Sequence, residues 1–445
     1  MRARRPTGFA AFTVIWLGQI TSVLGTRMTN FVLSITLWRQ TGHATSLGLM
    51  TVLAFGATVV LSPLAGSLVD RVGRRTMVVL SDVGSAATVA ALLIALTVAP
   101  AHAWEFYLVN TLTGAFLAFQ YPAYSAVITQ MMDKAHYARA NAMMSLSTSV
   151  PAIFAPTFAA LLLNAMSAKA VLAIDTASYV LAVGVVFLVA IPERASSTED
   201  EKKRTSVWQD TVIGFRYITA RAGLLKLEGI SFMVSLLAAM GWILLIPMIM
   251  ARSGNDQAQV GIVQSLGAIG GVLGGVLVTA IKAPDRKMSW LLLGTLGFNL
   301  IGRFVLGVSD SVVLWSLAWF SAWLCIPFIE GYIQAIFQQK VEPSVQGRVF
   351  AARQMLETLA MPLAVGVAAP LADYYLEPRM MPHGSLASTF GFAVGTGPGA
   401  GMALVFVVTG LIGTAVAVAG LSARSVRQLE SLLPDQVVEP APANA

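Results

Sequence analysis

Residues 66–75 read G-S-L-V-D-R-V-G-R-R and stand between two long apolar runs, Leu47–Leu64 and Thr76–Val98. A connection this short makes the helices on either side antiparallel neighbours. Gly66 and Gly73 permit close backbone approach or a positive φ. Asp70 can accept backbone N–H groups at the N-terminus of a neighbouring helix, or pair with a cation. Arg71, Arg74 and Arg75 mark the turn as cytoplasmic, because inner loops of membrane proteins collect Lys and Arg.

Outward from this turn the same alternation continues. The 445-residue chain is 56% hydrophobic and 11% charged, where a soluble protein carries about a quarter charged residues. Apolar runs of roughly 18 residues or more recur along it, which makes it an all-α, multi-pass membrane protein. Twelve spans are expected, over 9–37, 45–65, 76–98, 103–128, 141–163, 168–191, 223–250, 257–281, 288–307, 311–338, 350–371 and 399–421. With both termini cytoplasmic, the inner segments hold 22 Lys and Arg residues and the outer loops four. An odd error in the span count would scramble that split. The segment after Arg2, Arg4 and Arg5 is too long for a signal-peptide core and has no small-residue cleavage site, so it reads as a retained first span. The net charge of +7 sits in these loops and does not point to nucleic acid. Cys325 is the single cysteine, so no disulfide forms within the chain and no cysteine metal site is expected. His43, His102, His136 and His383 are scattered, with no metal-ligand spacing and no paired nucleophile and base. No enzyme activity, cofactor or metal is therefore expected.

Two bundles are expected, 1–191 and 223–421, joined by the charged segment 192–222 and followed by a disordered tail, 422–445. Within the joining segment, Trp208, Val212 and Phe215 fall on one helical face, consistent with a short helix on the inner membrane surface or with a plain linker. The Gly-, Pro- and Ser-rich outer stretch 372–398 reads as a disordered connection, with a lid as the alternative. An offset of 209 residues matches Gly66, Leu68 and Val69 to Gly275, Leu277 and Val278, and also Phe119 to Phe328, Gln130 to Gln339, Arg139 to Arg348 and Ala142 to Ala351. Parallel repeats in a transporter give such a pattern. Asp70 falls opposite Thr279, so the second half lacks its carboxylate.

Ionisable groups inside a membrane are costly and mark functional sites. Arg27, Asn30 and Ser34 form one polar stripe on the first span, facing a wet cavity or, for Arg27, snorkelling to the headgroups. Glu330 lies seven and eleven residues after Trp323 and Trp319, so all three fall within about 20° on a helix. An aromatic wall beside a carboxylate suits large apolar or cationic substrates, and Phe119 joins these cavity candidates. Trp315 is the tryptophan placed to meet lipid at the interface. Proton exchange with a substrate needs a carboxyl group in a low-dielectric cavity; Glu330 is the first candidate and Glu357 the second. Arg353 can pair with Glu357 by i,i+4 spacing. Asp82 reads as an anchor for Arg74 or Arg75, Asp175 as structural, and Arg303 as solvated near an outer end.

The 66–75 decapeptide resembles the loop between the second and third helices of the major facilitator superfamily. The chain further resembles its branch of macrolide efflux proteins and the enterobactin exporter, through W-L-G-Q (Trp16–Gln19), the Gly25 region, T-G-H-A-T-S-L-G (Thr41–Gly48), A-R-A-N (Ala138–Asn141), I-D-T-A-S-Y (Ile174–Tyr179) and G-F-R-Y-I (Gly214–Ile218). The resemblance implies two pseudo-symmetric six-helix bundles and a cavity lined by spans one, four, seven and ten. It also implies proton-driven export of a small molecule by alternating access, by a monomer in a bacterial inner membrane. In that setting Asp70 would meet the start of the eleventh span near Arg348–Arg353, and the loop arginines would hold Asp82 or Asp133. Two departures stand out. Antiporters of the superfamily often carry G-P-x-x-G-G in the fifth span, where this chain has Pro156 with Ala155, Ala159 and Ala160, keeping small packing residues without glycine flexibility. Asn110 precedes Gly114 where drug–proton relatives often have arginine. The leading expectation is export of amphipathic, drug-type molecules. A siderophore or other secreted metabolite, or a lysophospholipid, is the alternative cargo, and Arg27 would suit an anionic one. A non-transporting membrane sensor is the alternative of another class; it calls for a large soluble appendage, and the longest polar stretch here is about thirty residues.

Overall fold

In a computed structural model the protein is described over residues 8–72, 74–131, 137–189, 207–281, 286–342 and 345–423, without side chains for 8, 10, 63–71, 74, 121–131, 137–139, 141–142 and 207–211. The described residues are helical, with no strand among them. The helices are α1 (Gly8–Thr41), α2 (Ala44–Val72), α3 (Arg74–Val98), α4 (Ala103–Met131), α5 (Tyr137–Ala165), α6 (Ala168–Leu188), α7 (Val207–Thr219), α8 (Ala222–Arg252), α9 (Gln257–Ala280), α10 (Lys287–Val308), α11 (Val312–Lys340), α12 (Gln346–Met380), α13 (Ala387–Val394) and α14 (Ala400–Ser422). Ten of the segments are long and apolar enough to cross a bilayer. With α1, of 34 residues, and α4, of 29, they make twelve long helices among the described residues. Helices apolar on most sides are what a bilayer requires, since every backbone group is satisfied within the segment.

Among the described residues the α-helical winding gives way at two places, one of them at a proline. Pro370 removes a donor inside α12, and the next turn, Leu371–Leu376, is wound as a π-helix. A second π-turn, Gly297–Phe304, lies inside α10 and carries Asn299 and Arg303.

The chain divides into two compact units: Met1–Asp200 with Ser253–Ser265, and Glu201–Arg252 with Leu266–Ala445. In the first, α1 packs on α5 and α6, α2 on α4, and α3 on α4 and α6. In the second, α8 packs on α12 and α14, and α10 on α11 and α14. There α9 also meets α11, with Gly270 against the Phe320 backbone and Gly274 against that of Leu324. The five pairings of the first unit thus recur in the second. The 209-residue offset carries Ala103–Met131 onto Val312–Lys340 and the start of α5 onto the start of α12. It fails at the last helix of each unit, because the connection between α12 and α14 is longer.

That connection is helical and pinned, which overturns the disordered reading of 372–398. The segment continues α12 to Met380 and adds α13. Glu377 accepts the backbone N–H groups of Gly399 (3.1 Å) and Met402 (3.0 Å), capping the N-terminus of α14. Arg252 donates to the carbonyls of Ser309 (2.9 Å) and Val394 and to Asp310 (2.6 Å). The glycines serve turns: Gly395, Gly397 and Gly399 all have positive φ.

Helix α7 packs on α12. A Cβ at Gly214 would lie 2.1 Å from the Arg348 carbonyl oxygen, so only glycine allows this approach. Ile218 is buried in the same core, while Val212 is 49% exposed. The Trp208 side chain, residues 190–206 and the tail after 423 lie outside the described residues.

Candidate functional site

Three charged side chains of the second unit, Glu330, Arg353 and Glu357, line a cavity of about 510 Å³ between α8, α11 and α12. Its polar lining includes Ser231, Glu330, Gln334, Arg353, Gln354 and Glu357. One helical turn separates Glu330 from Gln334 on α11 and Arg353 from Glu357 on α12, which aims each pair at the same space. The Arg353 guanidinium is at the centre. Its Nη2 donates to Glu357 (2.8 Å), Nε to Glu228 on α8 (3.0 Å) and Nη1 to Gln334 (3.0 Å), and it stacks 4.1 Å from the Phe337 ring centroid. Ser231 donates to the same Glu357 oxygen at 3.2 Å. The guanidinium is therefore spent on protein partners. Glu330 lines the cavity and has no hydrogen-bond partner among the described residues. Glu330 and Glu357 line the cavity with Arg353, whose guanidinium also faces Glu228, so carboxyl groups outnumber the cation, a balance that favours a cationic guest.

The i,i+4 pair of Arg353 with Glu357 is as the spacing requires. Glu228 was not anticipated. It sits in the second turn of its span, where a charge reads as a membrane-surface residue, yet it is 3% exposed. The offset of 209 could have pointed to it, for it falls opposite Gln19, another buried polar residue (4% exposed).

The tryptophans assemble elsewhere. Trp319 and Trp323 join Trp242 of α8, with centroids 5.7–6.3 Å apart, and Trp319 lies against Gly267. They do not line the cavity that holds Glu330, because seven residues of helix separate Trp323 from Glu330 by about 10 Å along the axis. Trp315 is 1% exposed and donates its Nε1–H to the Ser309 carbonyl (2.8 Å), so it does not face lipid. Arg303 is also buried, donating to the Leu237 carbonyl and to Thr409 (2.7 Å), rather than solvated.

In the first unit, Arg27 and Asn30 are exposed on α1, and the Ser34 hydroxyl is spent on the Asn30 carbonyl (2.8 Å). Phe119 packs against the core around Ala11, Phe12 and Ile15. Asp82 is bonded by Gln19 (3.1 Å) and Gln120 (2.6 Å), while Arg75 donates to the Val186 carbonyl (3.3 Å) and stacks over Phe187. Asn110 donates to the Met50 carbonyl (3.1 Å), a helix-packing contact. Ala159 and Ala160 are buried, and the Pro156 carbonyl and Ala160 meet Gly261 at the start of α9. Of the 66–75 stretch, Gly73 lies outside the described residues, as does Asp133. Gly66, Asp70, Arg71 and Arg74 have helical backbone and no described side chains. Among the described residues no group of three or more His, Cys, Asp or Glu could hold a metal ion.

This architecture has close counterparts. A bacterial homologue of the human lysosomal transporter Spinster superposes with a TM-score of 0.67 at 14% identity, covering 97% of this chain and 98% of that one. The nucleoside transporter NupG superposes with a TM-score of 0.69 at 12% identity, covering 93% and 100%. At the sequence level, Macrolide efflux protein A of Streptococcus pyogenes is 26% identical over 375 residues, 81% of this chain and 89% of the relative. The protein of the same name from Enterococcus faecalis is 26% identical over 329 residues, 71% and 98%. The family model described as Major Facilitator Superfamily matches residues 15–365, and with twelve long helices in two repeated units the chain belongs to that superfamily of transporters and is not an enzyme.

Proposed function

We propose that this transporter is a secondary-active exporter that couples the outward movement of amphipathic, drug-type small molecules to proton entry by alternating access. The observation that carries the reading is the Glu330 carboxyl group: it lines an acidic cavity without a protein partner, beside an Arg353 already committed to Glu228, Glu357 and Gln334. A group so placed can hold either a proton or the cationic end of a substrate, and exchanging one for the other is the coupling step. Glu357, half-buried and bonded to Arg353 and Ser231, positions the guanidinium and is the second candidate. The efflux proteins among the relatives support small-molecule export. The turn 66–75 acts as the conformational gate, the protein sits in a bacterial inner membrane with both termini cytoplasmic, and it works as a monomer.

The test is efflux of a panel of dyes and macrolides from cells, with and without a proton gradient, for the wild type and Glu330→Gln. Gradient-driven efflux by the wild type that is lost in the variant is the expected result. Equal efflux by both, or efflux indifferent to the gradient, would remove the basis for the reading.

A further inference from the structure

The first unit encloses a second acidic group, unrelated to the cavity around Glu330. Asp175, on α6, is 0% exposed. Its Oδ2 has no hydrogen-bond partner among the described residues, and neither does the hydroxyl of Thr29 on α1, which is 3% exposed. The two lie close together, without reaching hydrogen-bonding geometry. Gly25, one turn before Thr29, brings the helices this near: a Cβ there would lie 2.6 Å from Asp175 Oδ1 and 2.7 Å from Ser178 Oγ. Oδ1 has only a long contact with the Ser178 hydroxyl (3.4 Å), which donates chiefly to the Asp175 backbone carbonyl (2.7 Å).

A bare carboxylate in such a place is physically untenable, because burying an isolated charge costs far more than burying a neutral group. No described cation of the surrounding elements is bonded to Asp175; on α3, Arg75 is spent on the Val186 carbonyl and the Phe187 ring, eleven residues further along α6. On α1, Arg27 is exposed on the opposite face. On α3, Asp82 is another acid, closed off by Gln19 and Gln120. On α6, Tyr179 is neutral and shares a hydrogen bond with Thr26 (2.7 Å), and Lys169 is exposed. On α5, Tyr137 and Arg139 have no described side chains. A proton on Asp175 Oδ2 removes the buried charge, and a small rotation of either side chain then lets it donate to Thr29 Oγ1, giving both orphaned atoms a partner.

We propose that Asp175, with Thr29 across the α1–α6 contact at Gly25, is a proton-binding site buried inside the first unit. The proton comes from bulk water and rests on Oδ2. Its departure leaves a carboxylate that must be hydrated, and hydration requires α1 and α6 to part at Gly25. Proton binding at this site is thereby linked to helix packing in the first unit, whatever drives transport in the second.

Infrared spectroscopy of the full-length protein in lipid membranes, over a pH series in H2O and D2O, tests this. The wild type should give a carboxylic C=O stretching band that is missing in Asp175→Asn and displaced in Thr29→Val, whose acid has lost its acceptor. If Asp175→Asn does not fold, the displacement in Thr29→Val decides alone. An identical band in the wild type and both variants would overturn the proposal. So would loss of the wild-type band when sodium chloride replaces choline chloride, which would make the site one for a metal cation. The band should persist in Glu330→Gln, so failure of the export mechanism and failure of this site are read separately.

Discussion

Removing the Arg353 guanidinium should destabilise the second unit mainly through the glutamate it leaves behind. In Arg353→Met, Glu228 keeps its burial (3% exposed) and loses its partner at 3.0 Å. Breaking a buried ion pair from one side costs about 3–5 kcal/mol. Glu357 has a 26% exposed side chain and retains Ser231, so its share is at most ~1 kcal/mol. The loss of stacking on Phe337 adds about 1 kcal/mol. Glu228 therefore dominates. Replacing both partners, as Glu228→Met with Arg353→Met, removes the stranded charge and should recover at least ~2 kcal/mol of the single variant's loss, since apolar pairs of similar volume usually match a buried ion pair. The single cysteine provides the assay. Cys325 packs against the core of this unit, and a thiol-reactive fluorogenic dye reports its exposure during denaturant or thermal unfolding of the purified protein. Arg216→Met, on the exposed face of α7, is the control. A double variant no more stable than Arg353→Met would refute the reasoning, as would a single variant no weaker than the control.

Further outcomes are expected elsewhere. Glu330→Gln removes a charge-assisted contact of about 1.5–3 kcal/mol, so a cationic substrate should bind roughly ten- to a hundredfold more weakly while a neutral analogue is little affected, as equilibrium binding with the two ligands will tell. Asp70→Asn should lower transport without removing the protein from the membrane. A carboxylate at a helix N-terminus contributes about 0.3–2 kcal/mol, enough to shift the two-state balance roughly two- to thirtyfold, and normal uptake and efflux by that variant would discard the gate. Gly214→Val forces the α7 and Arg348 backbones apart and should cost about 1–3 kcal/mol, read as earlier proteolysis around α7; an unchanged cleavage pattern would contradict the close packing.

Much of the fold was legible because it depends on local chemistry. Span lengths follow from what a bilayer does to a contiguous stretch of chain, and the expected spans reappear as long helices, whereas the described residues of the 66–75 stretch continue the helices on either side. The internal repeat was legible for the same reason, as a single offset that survives through α12. The segment 372–398 was misread because glycine and proline signal turns without saying what holds them; here Glu377 and Arg252, distant in sequence from their partners, do so. Glu330 and Glu357 could be picked out as charges inside spans, and Arg353 with Glu357 as an i,i+4 pair. Glu228 could be noticed only as a charge near the start of its span; its pairing could not, since its partner is 125 residues away.

By itself, then, the sequence determined that the chain is a bundle of membrane-crossing helices in two related halves, with acidic groups in the second. Hydropathy and charge placement act residue by residue along the chain, and need no knowledge of neighbours in space. Tertiary structure alone decided which polar side chains meet. The repeat-equivalent Gln19 and Glu228 make the point: both are buried, but one bonds Asp82 and the other Arg353. A buried charge is settled by the group opposite it, and that group is supplied by another helix.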